Sequence, residues 1–162
     1  MDFRRTEYRK LYHNIEIASH DPFDRHAHIL FAEDQHGEIN STARLVLDSE
    51  IGLPEDRLFP PLVDQYRQEG KRLMEIGRFI IRDGNMALLK KYYQAFYQVA
   101  RSCDIDYVVI VMRHKDLEFH RKLFGIDVLV ERLGESFGSQ LTFMCAGWNL
   151  DNTRPAFFKW VA

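Results

Sequence analysis

Glu75, Gly77 and Arg78 interrupt an otherwise apolar run, Arg72-Leu-Met-Glu-Ile-Gly-Arg-Phe-Ile-Ile81. A carboxylate and a guanidinium this close can form an ion pair or do acid–base work. Either is costly to bury unless paired. The run reads as a strand over 72–82. Period-two alternation places Leu73, Glu75, Gly77 and Phe79 on one face, and Met74, Ile76, Arg78 and Ile80 on the other. Glycine in a strand interior marks a bulge or a close approach by another backbone or a ligand. A bulge at Gly77 resets the alternation and brings Glu75 and Arg78 to one side. These residues alone leave two readings open, a structural ion pair and a reactive site. Arg44 is a second candidate buried charge, in Ser41-Thr-Ala-Arg-Leu-Val-Leu47. It alternates out of phase with Leu45 and Leu47, so taken singly it also reads as a solvent-facing strand arginine. Asp21 and Asp24, in Asp21-Pro-Phe-Asp24, are turn-formers when taken singly.

Other reactive residue types are weaker. His26 and His28, with His20 and Asp21 nearby, have the parity of a shared face, but no Cys pair or H-E-x-x-H spacing accompanies them. No metal site is expected. Cys103 lacks an evident His partner and reads as a small buried hydrophobe rather than a nucleophile. Asp48, Glu50, Glu55 and Asp56 are expected to be solvated loop acids.

The elements that position these residues follow from pattern. A short helix is expected over 4–13, with Tyr8, Leu11 and Tyr12 on one side. Strands over 26–32 and 39–47 flank the polar turn Glu33-Asp-Gln-His-Gly37 and form an antiparallel hairpin. The stretch 52–61 is loop, Pro61 opens a helix to Glu69, and Gly70 stops it. Asn85 caps a long helix to Arg101. Its Leu89, Tyr92, Tyr93, Phe96, Val99 and Ala100 recur at helical spacing, opposite Lys90, Lys91, Gln94 and Gln98. Tyr107-Val-Val-Ile-Val-Met112 is an unbroken run of the kind buried on both faces. A helix over 115–124 ends at Gly125, and strands over 128–132 and 141–146 follow. The strand–helix–strand unit in the middle favours a parallel pair with a right-handed crossover. The expected fold is α/β (α+β): one mixed sheet of six to seven strands with helices on both faces.

The chain has 162 residues, enough for one domain over 1–162 and for a core that needs no disulfide or structural metal. Hydrophobic residues are 46% and charged residues 28%, a globular balance. The net charge of −2 argues against a nucleic-acid binder. No apolar run is long enough for a membrane span, and the start is too polar for a secretory signal. Two cysteines suggest a reducing, cytoplasmic compartment, although one disulfide remains open.

Several of these features occur in one order: Asp21-Pro-Phe-Asp24, the hairpin ending in Arg44-Leu45, Phe59-Pro60 and Glu75-x-x-Arg78-Phe79. Together they resemble the autoinducer (acyl-homoserine lactone) synthases and, more closely, the N-acyl amino acid synthases, both of the GNAT-type acyltransferase superfamily. Gly52-Leu-Pro-Glu and Gly70-Lys-Arg-Leu-Met-Glu-Ile-Gly-Arg-Phe resemble the amino acid synthase branch. Glu118-Phe-His-Arg-Lys-Leu-Phe-Gly125 is similar to the late helix, where relatives often carry a tyrosine at the place of His120. The resemblance spans residues 20 to 147.

That resemblance implies a splay between two central parallel strands, 72–82 and 105–112, with the arm of an acyl thioester between them. Glu75 would act as base or position the amine. Arg78 and Arg44 would pair with Glu75, Asp21 and Asp24 and hold the acceptor end, with Phe59 as a further acceptor-side residue. Ile76, Gly77, Phe79, Ile80, Val109 and Val111 would meet the acyl donor, and Phe96 would help line its slot. The co-substrate would be acyl-ACP or acyl-CoA, with no tightly bound cofactor. The glycine-rich pyrophosphate loop of CoA-dependent relatives is replaced by Arg82-Asp-Gly-Asn-Met-Ala, which favours an acyl carrier protein as partner. Arg82, Lys90, Lys91, Arg121 and Lys122 would meet that acidic carrier, although such charges also read as a solvated face. The stretch before Asp21 is short for the family, which often covers its acceptor pocket with longer N-terminal helices. The expected activity is N-acyl transfer to an amino acid or similar small amine. Two alternatives stand beside it: a noncatalytic acyl- or amphiphile-binding module on the same fold, and an acetyl-CoA-dependent N-acetyltransferase.

Overall fold

The computed structural model describes the backbone of residues 2–11, 21–57, 60–133 and 143–162. Phe59, His20, the helix end expected at 12–13 and the strand start expected at 141–142 lie outside the described residues. Six strands form one sheet: β1 (Ala27–Glu33), β2 (Ile39–Leu47), β3 (Leu73–Ile81), β4 (Tyr107–Arg113), β5 (Asp127–Leu133) and β6 (Phe143–Asn149), in the order β1-β2-β3-β4-β6-β5. The β3/β4 pair is parallel and its neighbours are antiparallel. The described helices are α1 (Asp2–Leu11), α2 (Pro60–Gln68), α3 (Met86–Ser102), α4 (Leu117–Phe124) and α5 (Pro155–Val161). The sheet and the first four helices follow the sequence pattern to within a few residues.

Helix boundaries have local causes. The Asn85 side chain accepts a hydrogen bond from the Leu88 N–H at 3.1 Å, which starts α3. Gly125, at φ 78, supplies the left-handed cap that ends α4. Helix α5 has no counterpart in the sequence pattern. Pro155 opens it, and its Phe157 is fully buried against Phe124 and Trp148. Seven residues with one buried aromatic anchor carry too short a period to stand out from sequence.

The sheet separates two apolar layers. On one side Leu45, Met74, Ile76, Val108 and Ile110 pack against Tyr92, Tyr93 and Phe96 of α3 and against Phe124 of α4. On the other, Val46, Leu73, Val109 and Cys145 meet Val63 of α2 and Phe23. Burying each large aliphatic or aromatic side chain contributes about 1.5–3 kcal/mol, so both layers hold the strands in register.

The register itself positions the site. Arg44 faces Gly77 and Thr42 faces Ile80, so two steps along β2 match three along β3. The extra residue is a bulge. Its left-handed position is Arg78, at φ 52, and not the glycine before it. A non-glycine residue there costs about 1 kcal/mol and persists only where its surroundings hold it. A bulge also bends its strand. Pairing between β3 and β4 runs from Leu73/Tyr107 to Ile76/Ile110 and goes no further, although β3 continues to Ile81 and β4 to Arg113. The two central strands therefore part immediately after Ile76.

Candidate active site

The bulge gathers side chains that simple alternation would separate. Glu75, Gly77 and Arg78 share one face, and Phe79 turns to the other. There Phe79 packs on Tyr92 and Phe96 at centroid distances of 5.0 and 5.2 Å. Arg44 projects from β2 toward the same place as Glu75. Its side chain is only 2% exposed, so it is a buried charge and not a solvent-facing strand arginine.

Asp21 and Asp24 arrive from the turn before β1. Asp21 caps that turn by accepting from the Phe23 N–H at 3.1 Å, and Phe23 anchors it in the smaller core. Arg44 Nη1 donates to Asp21 Oδ2 at 2.5 Å and to Asp24 Oδ1 at 3.2 Å, and its Nη2 donates to Glu75 Oε1 at 3.1 Å. Arg78 Nη2 donates to the same Asp21 oxygen at 2.9 Å. Arg4 of α1 closes the outer side, donating to Asp24 Oδ2 at 2.8 Å. Tyr8, also on α1, accepts a hydrogen bond from Arg78. The short N-terminal helix thus already covers part of the cluster.

Burial and charge compete at each group. Burial works against the Asp21 carboxylate, but hydrogen bonds from Arg78 and Arg44 outweigh it and bring its pKa down to about 2. At Glu75 burial wins: the carboxyl lies above the usual carboxylate range despite the charge and hydrogen bond of Arg44. Burial opposes the Arg44 charge, yet Glu75 and Asp21 hold the guanidinium more firmly protonated than usual. Glu75 therefore combines a fixed position with raised proton affinity, the property a general base needs.

The other anticipated residues fall in several places. Ile76 is buried on the α3 side of the sheet, while Val109 is buried on the α2 side. Phe79 and Phe96 lie with Ile76, so the expected slot lining is divided between the two faces. Val111 and Ile80 are half-buried. Arg82 donates to Glu7 of α1 at 3.4 Å and lies 5.0 Å from the Phe3 ring centroid. Lys90 sits over Trp160 at 5.9 Å, Arg121 pairs with Glu118 at 3.3 Å, and Lys91 and Lys122 are exposed. His120 is buried, with Nδ1 2.7 Å from the Asp116 carbonyl oxygen and Nε2 against the Tyr93 hydroxyl. The carbonyl fixes the proton on Nδ1, so Nε2 accepts from Tyr93. His26 and His28 are exposed, and among the described residues no group of three candidate metal ligands is brought together.

One expectation about the loop acids is wrong. Glu55 is buried at 2% exposure, on the single helical turn Pro54–Arg57. Asp48 and Asp56 are not solvated singly either. Both bind Arg67 of α2, through four contacts of 2.7 Å. The signal for this was Arg67 itself, a basic residue in the last turn of α2, but a contact between separate elements is not visible in local pattern.

A mixed sheet that opens between two central parallel strands, with a buried carboxylate beside the opening, defines a GNAT-like acyltransferase fold. The family described as N-acyl amino acid synthase FeeM matches residues 3–144, and the chain belongs to that family of acyltransferases. Solved structures agree on the fold. FeeM, an N-acyl amino acid synthase from uncultured soil microbes, is 18% identical, with 91% of this chain and 87% of that one covered and a TM-score of 0.75. The AHL synthase LasI is 17% identical over 96% of this chain and 84% of its own, with a TM-score of 0.70. BjaI, a CoA-dependent acyl-homoserine lactone synthase solved with SAM and isopentyl-CoA, is 16% identical over 98% and 76%, with a TM-score of 0.67. No curated protein matches the chain in sequence. Among the described residues, no helix is long and apolar enough to cross a membrane.

Proposed function

We propose that this chain, as a single domain over 1–162, moves an acyl group from a carrier-bound thioester to the amine of an amino acid or a similar small acceptor. The observation that carries this reading is the parting of β3 from β4 one residue after Glu75. It puts a fixed, buried carboxylate of raised proton affinity at the vertex of an opening between two strands.

In this mechanism main-chain N–H groups of β3 beyond Ile76 bond the arm of the donor and polarise the thioester carbonyl. The acceptor amine attacks the carbonyl carbon, the C–S bond breaks, and the thiolate leaves. Glu75 takes the amine proton, directly or through a water. Arg44 holds Glu75 in place and is itself held by Asp21 and Asp24. Arg78 keeps 20% side-chain exposure, so it is the arginine placed to meet an acceptor carboxylate in a bidentate fork. The acyl chain threads between the strands beyond their last pair, Ile76 and Ile110, with Phe79 and Ile80 on one strand and Val111 on the other.

The donor is assigned to acyl carrier protein over CoA. The sequence Arg82-Asp-Gly-Asn-Met-Ala supports this, since it lacks the glycine repeat that cradles a pyrophosphate. Arg82, Lys90, Lys91, Arg121 and Lys122 are the proposed contacts for the acidic carrier, in a cytoplasmic setting with Cys103 and Cys145 as free thiols. The test is a matched pair of assays with acyl-ACP and acyl-CoA, each with a panel of amino acids. Amide formation from acyl-ACP at far lower donor concentration supports the assignment. Equal use of both donors overturns the carrier preference and leaves the acyl transfer standing.

A further inference from the structure

Glu55 has no role in the reading above, yet it is among the most deeply buried ionisable groups described. It is 2% exposed, its Oε2 has no hydrogen-bond partner, and it makes no ion pair among the described residues. The nearby guanidiniums are engaged elsewhere. Arg67 binds Asp48, Asp56 and Asp64, and Arg44 binds Asp21, Asp24 and Glu75. Leu53, two residues before Glu55, packs in the smaller core with Val46 and Val109, the residues that pair with Glu75 on either side, so Glu55 and Glu75 meet on one face of the sheet. The charged and titratable groups that act on Glu55 are Glu75 on β3, Arg44 on β2, Asp56 on its own turn and Cys145 on β6. Glu75 also leaves its Oε2 unpartnered, and Arg44 leaves Nε unpartnered.

We infer that Glu55 is a positioning residue for Glu75, the two buried carboxyls, each with an unpartnered Oε2, forming a pair that shares one proton, carried on Glu55. Two like charges close together in a buried site do not both ionise, and the one without a cation takes the proton. Kept neutral, Glu55 leaves Arg44 to Glu75. Ionised, it competes with Glu75 and Asp21 for the Arg44 guanidinium and loosens the hold on the base. Burial and the Glu75 charge both act in the required direction on Glu55. A buried carboxyl with an unpartnered oxygen and no ion pair destabilises the fold, and such groups persist where a site uses them.

The experiment measures Tm across pH for the full chain, its Glu55→Gln and Glu75→Gln variants and the double variant. An acid whose folded pKa is raised gives stability that is complete below its unfolded pKa and is lost as pH rises through the folded value. Glu55→Gln therefore raises Tm, by a few degrees, and the gain grows from about pH 4 toward alkaline pH. In the Glu75→Gln background the gain is smaller, because the like charge is gone. A gain that is flat with pH, or identical in both backgrounds, overturns the pair. Glu55→Met, apolar and of similar length, serves as a second variant and follows the same pattern.

The positioning role rests on the acyl-transfer reading and has its own readout. The kcat/KM ratio of Glu55→Gln to wild type cancels the acceptor's own titration. The ratio stays near one at acid and neutral pH and climbs at least about threefold on the alkaline side, where Glu55 ionises in the wild type alone. A flat ratio overturns the role even where the Tm cycle shows the pair. Full activity in Glu75→Gln overturns the proposed mechanism instead, and leaves the Tm cycle to decide the pair.

Discussion

The Glu75 carboxylate folds back over Gly77, so that a Cβ at position 77 would overlap Oε1 of Glu75. The glycine is there for this close approach, and not for a left-handed backbone, which falls on Arg78 instead. With no side chain at 77, Glu75 can turn toward Arg44 across the strand pair.

Gly77→Ala should therefore damage the site more than its size suggests. Either Glu75 is pushed off Arg44 or β3 shifts against β2. The expected loss is about 1–3 kcal/mol of stability, as for other overpacked positions. It should come with a fall in acyl transfer far larger than the fraction unfolded explains. Urea melts read beside initial rates check this. Unchanged activity would show that the Glu75 rotamer is immaterial.

Glu75→Gln keeps shape and removes the proposed base. The expected outcome is a fall in kcat of roughly 100-fold or more with the donor KM little changed. Single-turnover measurement of amide formation separates this from slow product release.

Arg78→Gly should split stability from activity. Glycine relieves the left-handed strain, worth about 1 kcal/mol, while the hydrogen bonds to Asp21 and Tyr8 are lost. Stability should change by less than about 1 kcal/mol, and the KM for an amino acid acceptor should rise well over tenfold with donor binding intact. A KM for the acceptor that does not move would remove Arg78 from carboxylate recognition.

Acid should dismantle the cluster at a pH set by Asp21. Its folded pKa is depressed to about 2, so its contribution is full above the unfolded value near 3.9 and is lost as pH falls through the folded one. That contribution is roughly 2 kcal/mol at neutral pH. Arg78→Ala withdraws one of the two guanidiniums that lower it, so acid unfolding should begin at higher pH. Circular dichroism against pH for the two proteins checks the direction.

Much of this was legible from residue order. The hairpin, the interrupted strand and the long amphipathic helix each carry a local period, and a carboxylate, a glycine and an arginine inside one apolar strand mark a bulge. What was not legible depends on contacts between elements. Glu55 reads as a loop acid because its turn is polar: Leu53, buried in the smaller core, and Arg67, reaching from α2 to Asp48 and Asp56, hold that turn onto the sheet. The turning of Phe79 to the face opposite Glu75 depends on where the bulge resets the alternation, and spacing alone does not place it to the residue. Phe59 lies outside the described residues.

The central claim is that this sheet catalyses transfer from sulfur to nitrogen. The direct measurement is a timed reaction of the purified chain with acyl-ACP and an amino acid, following free thiol and N-acyl product in the same samples by mass spectrometry. The account predicts thiol and amide appearing together in equal amounts, both lost in Glu75→Gln. Thiol released without amide, or acyl-ACP bound with no thiol released over many acceptors, would contradict it.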